Sequence, residues 1–442
     1  MAHAPAEGAA RLRPPGAVLD IARTLQEAGF ETWCVGGAVR DALLGLRHLD
    51  WDLATAATPR QVRRLFRRTV PKGIKYGTMG VLDDAGTMHE VTTFRRDVRT
   101  DGRHAEVEFG ASLDDDLARR DFTINAIAFD PLRDVLYDPF HGRDDLARGV
   151  VRAVGEPAAR LREDRLRVLR AIRFAARFGF AIEPETWRAM VESAPHLDRL
   201  SRERVREELE KTMEQVACPS RALRLWRESG ALGTLVPALA VMSDVTLGSL
   251  DALAPPLGGA RHRARVVARL TALLADLPAS DAERTARGLR FSNQDAAWMG
   301  QVIDRWRQLD GSVRSALGGG EPPAEAVVRR WVGTWGRLRT RAVLRLAAAR
   351  FAAERALGRD TPPARPIAAL YRRALRIAFR DPVEIGDLAI DGDDLQAIGI
   401  PHGPRIREVL QLLLADVLAD PARNTRDGLV ARARDLASGP AA

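Results

Sequence analysis

Val35-Gly36-Gly37-Ala38-Val39-Arg40-Asp41, followed by Asp50-Trp51-Asp52, is the stretch on which the reading of this chain turns. Thr32 to Val35 reads as a short strand, and the two glycines turn it into a helix over AVRDALLGL. A glycine turn at that junction lets the backbone approach a phosphate. The helix start then offers it free N–H groups and the positive end of the helix dipole. Arg40, one turn in, can add a charge-assisted contact. Trp51 to Ala54 reads as the next strand. Residues two apart on a strand share a face, so Asp50 and Asp52 would stand side by side while Trp51 enters the core. Two unpaired carboxylates repel each other and oppose folding. A divalent cation removes that penalty, and Mg2+ is held by one or two carboxylates plus substrate phosphates. An isolated D-x-D is more often a solvated turn; the glycine turn upstream is what favours the metal.

Outward from this stretch, Val18 to Ala28 and Pro59 to Phe66 read as helices. Gly80 to Leu82, Met88 to Thr93, Glu106 to Phe109 and Val135 to Tyr137 read as strands separated by Asp/Gly turns. From about Arg160 apolar residues recur at three and four positions, and strand-like alternation nearly vanishes. The predicted fold class is α+β: a small α/β head followed by a long all-helical half. A chain of 442 residues exceeds one ordinary domain. Its 46% hydrophobic and 29% charged residues exclude wholesale disorder. No uncharged apolar run reaches the roughly 18 residues of a membrane span. Residues 1–16 lack the apolar core of a signal peptide and read as a disordered leader. Cys34 and Cys218 are the only cysteines, which excludes a disulfide framework or a disulfide-linked partner and suits a reducing cytoplasm. The net charge is +9, and only Lys72, Lys75 and Lys211 among 68 basic residues are lysines. A GC-rich genome accounts for arginine over lysine but not for the surplus itself, which points to a polyanion such as nucleic acid.

Two further segments carry chemistry. Leu117 to Ala126 (LARRDFTINA) brings Arg119, Arg120, Asp121 and Asn125 into an apolar stretch; an exposed basic turn before a buried element would read the same. Glu163 to Phe174 (EDRLRVLRAIRF) reads as one continuous helix on which Asp164, Arg167, Arg170 and Arg173 follow one another at spacing three. A solvated face carrying an Asp164–Arg167 pair would look identical.

In this order, the segments resemble the class II tRNA nucleotidyltransferases, the CCA-adding enzymes and their bacterial poly(A) polymerase relatives. GGAVRD with DWD is similar to the catalytic motif of that family, RRDFTINA to its second motif and EDRLRVLRAIRF to its nucleotide-selecting helix. SRERVREE (201–208) resembles a later ERxRxE-type helix, and 389–425 resembles the C-terminal tail. The resemblance implies a nucleotidyltransferase head over 17–145, then a helical neck (146–215), body (216–380) and tRNA-binding tail (381–442). It implies template-independent addition of C and A, from CTP and ATP, to the 3′ end of tRNA. Asp50 and Asp52 would be catalytic and hold Mg2+. Gly36, Gly37 and Arg40 would take the triphosphate, Arg120 the nucleotide, and Asp164, Arg167, Arg170 and Arg173 would complete its site. Cytosine and adenine share an amino donor beside a ring-nitrogen acceptor. The Asp164 carboxylate can accept from the one and the Arg167 guanidinium can donate to the other. Guanine and uracil present the reverse pattern and would leave polar groups unpaired.

Pro71 to Thr78 is similar to the CCA-adding type rather than to the poly(A) polymerases, and Phe94 to His104 resembles the flexible loop that CC-adding enzymes lack. An A-adding enzyme of a split pathway and a bacterial poly(A) polymerase remain the alternatives. A non-catalytic RNA-binding protein is more remote, since both carboxylates are present. Between Arg329 and Arg359 lie nine arginines and one acid, Glu354, a candidate surface for RNA phosphates.

Overall fold

A computed structural model describes residues 12–46, 50–100, 105–240, 242–253, 262–319 and 322–438. The leader expected over 1–16 lies largely outside these residues; the first helix, α1 (Gly16–Glu27), buries Val18, Ile21, Ala22 and Leu25. Strands β1 (Thr32–Val35), β2 (Asp52–Thr55), β3 (Thr69–Gly73), β4 (Thr78–Leu82) and β5 (Met88–Thr93) follow. β6 (Arg95–Thr100) and β7 (Ala105–Phe109) pair into a separate hairpin, and β8 (Ala128–Asp130) and β9 (Val135–Tyr137) complete a seven-stranded sheet. Its order is β3-β4-β5-β2-β1-β8-β9, antiparallel except where β2 lies parallel to β5. Within the sheet the crossover between these two neighbours therefore runs through α3 (Pro59–Leu65), β3 and β4. α3 starts cleanly because Thr58 and Gln61 form a reciprocal cap and Pro59 takes the first helical position, where no N–H is needed. α2 (Gly37–Leu43) follows the glycine turn, and α4 (Leu113–Ala118) precedes the second motif. Val35, Ala54, Phe94, Leu113, Leu117, Ala126, Ala128 and Val154 form one core beneath both motifs.

Of segment 94–104, expected as a flexible loop, Arg95–Thr100 is strand β6, and residues 101–104 lie outside the described set. Beyond β9 come α5 (Gly142–Arg148), α6 (Pro157–Glu163), α7 (Leu166–Phe178), α8 (Pro184–Ser193) and α9 (Arg202–Gln215); among the described residues the strand there is the two-residue parallel pair Val150–Val151 and Ala181–Ile182. EDRLRVLRAIRF is not one helix. α6 ends at Glu163, Asp164 is extended (φ −147°, ψ 103°), and its Oδ1 accepts the Leu166 N–H at 3.0 Å. A side chain that captures a nearby backbone N–H competes with helix continuation.

The described residues up to Thr212, with Arg221–Pro237, form one compact unit; Met213–Ser220 and the residues from Ala238 onward form another. The first holds the sheet and α1 to α9 up to Thr212. The second is helical, from Asp244–Ala252 to Arg426–Ser438, and ends in a cluster built on Leu395, Val409, Leu413, Val417 and Leu429. Among the described residues no helix is long and apolar enough to cross a membrane. Cys34 is buried and Cys218 exposed, both as free thiols.

Candidate active site

β2 begins at Asp52, one residue later than expected, so Asp50 and Trp51 precede the strand; Trp51 is buried, Asp52 half-buried and Asp50 exposed. Parallel pairing sets Leu53 against Val91, which brings Glu90 of β5 next to Asp52. Burial first, then the negative charges of Glu90 and Asp50, push the Asp52 carboxyl up to about 6, against the pull of Arg120 and Lys72. Lys72 on β3 donates to Glu90 Oε1. That bond, helped by Asp50 and Asp52, holds the ammonium pKa above its usual value. One rim of the sheet thus gathers three carboxylates around a lysine. Among the described residues no three such groups approach closely enough to make a ready-formed cation cage. Glu90 lies outside the sequence-based site, because nothing in the chain announces that β5 is the parallel neighbour of β2.

The glycine turn sits beside this rim. Gly36 has φ 76° and ψ −133°, a conformation essentially reserved for glycine. A Cβ there would also lie 3.0 Å from Arg120 Nη1. Arg120 Nη2 donates to Asp116 Oδ2 at 3.0 Å, and Arg119 donates to Asp116 Oδ1 through Nε at 3.0 Å and Nη2 at 2.6 Å. Burial would raise the Asp116 carboxyl, but the Arg120 and Arg119 charges outweigh it and hold it below the usual range. Asp116, absent from the sequence-based site, is what orients both arginines of the second motif.

Arg40 is placed differently from the expected phosphate contact. It is 4% exposed. Its Nε and Nη2 donate to Asp41 Oδ1 at 2.8 and 2.6 Å, and its Nη1 donates to Asn125 Oδ1 at 2.5 Å. Its guanidinium carbon lies 4.9 Å from the ring centres of both Phe174 and Phe178, which stack at 6.2 Å. Arg177 closes the knot by donating to Asp41 Oδ2 at 2.9 Å. The aromatic pair on α7, Phe174 buried and Phe178 half-buried, is the physical reason: a guanidinium held against two rings gains cation–π attraction in exchange for its water.

The selecting segment is likewise rearranged. Asp164 and Arg167 do not bond each other through their side chains. Arg167 Nη1 donates to Glu163 Oε2 at 2.7 Å and to Arg160 O at 2.8 Å, while Nη2 donates to Arg119 O at 3.0 Å. Glu163 also accepts from Arg160 Nη1 at 2.6 Å. Asp164 Oδ2 accepts instead from Arg204 Nη2 of α9 at 2.7 Å. Arg170 clamps Asp121 Oδ2 through Nε and Nη2, both at 2.7 Å. Arg173 is buried; its Nε donates to Glu208 Oε2 at 2.8 Å and its guanidinium sits 4.5 Å from the Phe174 ring centre. Gly36, Asp52 and Arg120 therefore converge directly. Arg167 and Arg170 join them through the Arg119 carbonyl and Asp121, whereas Arg40 and Arg173 lie beneath as packing cations.

Asp121 yields a stability prediction. Burial would raise its carboxyl, but Arg170, the Asn125 amide (2.9 Å to Oδ1) and Arg167 pull it down to about 2. A carboxyl depressed below its unfolded value stabilises the fold above the unfolded pKa near 4. That stability is lost as pH falls through the folded value. The shift corresponds to about 2 kcal/mol. Asp121→Asn should therefore melt below wild type at neutral pH, with the gap closing between about pH 4 and pH 2. A gap that stays constant over that window in pH-dependent melting would refute the assignment.

Comparisons with known proteins agree with this geometry. The family described as Poly A polymerase head domain matches residues 32–152, and that described as Probable RNA and SrmB- binding site of polymerase A matches residues 179–242. A CCA-adding enzyme of Geobacillus stearothermophilus is 34% identical over 424 residues, 95% of this chain and 97% of the relative. One of Leuconostoc mesenteroides is 49% identical over 195 residues, 44% of this chain; that match spans about half of the relative, 48%. The crystal structure of a Bacillus stearothermophilus CCA-adding enzyme in complex with CTP matches the fold with a TM-score of 0.77 at 31% identity, covering 95% of this chain and 97% of that one. With a third of the residues identical along nearly the whole of both chains, and the same fold, the protein belongs to the family of CCA-adding enzymes.

Proposed function

We propose that the protein adds C and A nucleotides, from CTP and ATP, to the 3′ end of tRNA in the cytoplasm. The 3′-hydroxyl attacks the α-phosphate and pyrophosphate leaves. The observation that carries this reading is the convergence of Asp52, Arg120 and the Gly36 turn on one rim of the sheet. Asp50 and Asp52 are hard oxygen donors of the kind a divalent cation takes, and Asp52 is already raised by burial and then by the charges of Glu90 and Asp50. Mg2+, when bound, would activate the attacking hydroxyl and neutralise charge on the leaving oxygens. The remaining roles belong to the chain. Arg120 faces the triphosphate from across the turn formed by Gly36 and Gly37, and Arg40 acts as a positioning residue that fixes that turn against α7. Asp164 accepts the base amino group, and Arg167 donates to the ring nitrogen through N–H groups left over from Glu163, Arg160 and Arg119. Arg170 and Arg173 hold the surrounding frame through Asp121 and Glu208. Segments 17–145, 146–215, 216–380 and 381–442 divide the work into catalytic head, selecting neck, body and tRNA-binding tail.

The deciding experiment is extension of a tRNA lacking its 3′ end with CTP alone, ATP alone and both. Addition of CC with CTP and of CCA with both supports the proposal. Addition of a single A, only to a tRNA already ending in CC, would make it an A-adding enzyme, and a long A tract would make it a poly(A) polymerase.

The arginine-rich stretch 329–359 contributes less free charge than its composition implies. Arg329 is buried against Asp381, Arg337 pairs with Asp387, Arg339 donates to Gln301, Arg350 pairs with Asp276, and Arg355 donates to Pro362 O. Arg330, Arg341 and Arg359 are exposed. If tRNA phosphates lie on this surface, replacing these three by Gln should weaken every tRNA alike and lower the salt slope of log affinity by about 0.7 to 0.9 per lost contact. CTP-over-UTP preference should not change. Parallel lines in a salt titration would eliminate the surface.

A further inference from the structure

The helical unit from Ala238 onward holds a cavity of about 350 Å³, within the size range of small-ligand sites. Three helices bound it: His262–Leu273, Asn293–Gly318 and Arg337–Ala356. Each contributes residues three or four apart, the spacing of one helix face. The walls are mostly apolar, from Val267, Ala268, Val302, Ala342 and Leu346. Ala268 and Ala342 end at Cβ, which leaves space between the helices unfilled. Trp298 adds an aromatic wall, with the Arg339 guanidinium 5.5 Å from its ring centre. Leu338, on the rim, is 74% exposed, an apolar side chain left facing water.

The charges at this cavity are uncompensated. Arg341 and Arg345 both line it and stand four apart, hence on one face of their helix. Arg341 is exposed and Arg345 half-buried. Among the described residues neither bonds to an acid, whereas on the same helix Arg337 pairs with Asp387 and Arg350 with Asp276. Arg263, also in the lining, is already paired with Asp295. Burial lowers the Arg345 pKa from its ordinary value and the Arg341 charge adds to this, against the pull of Tyr371. Two like charges beside an apolar chamber repel each other until an anion lies over them. The chamber also offers hydrogen bonds. The Thr271 hydroxyl donates to Val267 O at 2.7 Å and keeps its lone pairs, and the exposed Gln294 amide supplies a donor and an acceptor. An alkyl chain would leave these groups without partners; a nucleobase, with an apolar face and a polar edge, would not.

We infer that this cavity holds one unstacked nucleotide of the RNA substrate, its base against Trp298 and the aliphatic wall and its phosphate over Arg341 and Arg345. The inference rests on the proposed reading of the chain as a tRNA enzyme. Unpaired nucleotides are recognised in this way, by an aromatic or apolar platform for the base and guanidinium groups for the backbone. Bases inside an RNA helix are stacked and cannot enter, so the occupant belongs to a loop or an end. The cavity thus reads the folded shape of the RNA, by the presence of a displaced base, rather than the sequence of a stem.

The test separates the base from its phosphate. Ala342→Phe fills the chamber and keeps the charges; Ala268→Leu replaces it if Ala342→Phe does not fold. Arg341→Gln with Arg345→Gln removes the charges and keeps the chamber. tRNA affinity is measured against salt for each folded variant, and chemical probing of the bound tRNA shows which nucleotides are shielded. Filling should weaken tRNA about tenfold at unchanged salt slope, the scale of one base taken off its platform. The arginine variant should weaken it too, and lower the slope by about 0.7 to 0.9 per lost phosphate contact. Both should unmask the same unpaired nucleotide. Wild-type affinity in the filled variant, or different nucleotides unmasked by the two variants, overturns the inference. Octanoate tests for a small-molecule site. If it binds wild type and not the filled variant, while tRNA affinity is equal in both, the cavity takes a small anion and the RNA role is overturned. If wild type itself neither binds nor extends tRNA, the proposed function falls and the inference with it.

Discussion

Asp50→Ala and Asp52→Ala are each expected to reduce nucleotide incorporation at least about a thousandfold, roughly 4 kcal/mol of transition-state stabilisation, without loss of folded protein. The two halves of that expectation have separate causes. Activity falls because the pair is the proposed oxygen donor set on the rim beside the Gly36 turn. Stability does not fall because Asp50 is exposed and because Asp52 is held against its preference. Its pKa is raised by burial, Glu90 and Asp50 to about 6, so its charge at neutral pH opposes folding, and removing it relieves the fold. Asp52→Ala should melt at or slightly above the wild-type temperature while tRNA affinity stays unchanged. Primer extension on a tRNA ending in CC, with melting curves alongside, checks both. Activity within tenfold of wild type for either variant would rule out the metal-ligand assignment.

Asp164→Ala combined with Arg167→Ala is expected to relax base choice, so that UTP and GTP are incorporated at rates approaching those of CTP and ATP. The loss in preference should be tenfold or more, as when a site that hydrogen-bonds one edge pattern loses its polar partners. Arg167 also braces the chain through Glu163 and the Arg160 and Arg119 carbonyls, so the variant should be slower overall as well as less selective. The ratio of rates separates the two effects. Equal slowing of all four nucleotides with preference intact would mean that the pair serves packing alone.

What was legible in the sequence was local. Thr32–Val35, Met88–Thr93 and Val135–Tyr137 are strands with the predicted bounds; the first and last are mostly β-branched or aromatic runs that end at Gly36 and Asp138. β3 escaped because Pro71 and Lys72 suit an outer strand and read as a turn. β8 escaped because three fully buried residues show no alternation. β6 escaped because a run of charges looks solvated. The break at Asp164 was hidden for another reason: nothing in EDRLRV is a helix breaker, and only the Asp164 side chain, by capturing the Leu166 N–H, makes it one. At the site, residue types and order were readable, but the environment of each charge was not. Arg40 and Arg173 look like surface cations in the chain and are buried in the fold. Glu90 and Arg204 look unremarkable and lie against the acids that matter, because their partners are distant in sequence.

The knot around Arg40 bears on whether the catalytic part can exist by itself. Arg40 and Asp41 are almost wholly buried, yet Phe174, Phe178 and Arg177, which cover and neutralise them, belong to α7. A chain ending after β9 would keep the Arg40–Asp41 pair but lose the two rings that cover it and Arg177, its second cation. Uncovering a buried pair and the apolar surface around it draws on the small net stability of any domain. The sheet and α7 therefore form one inheritable piece. An exchange of parts between relatives that cuts at the apparent boundary near residue 145 separates a cation from its cover, whereas one that cuts after Gly179 carries the whole knot across.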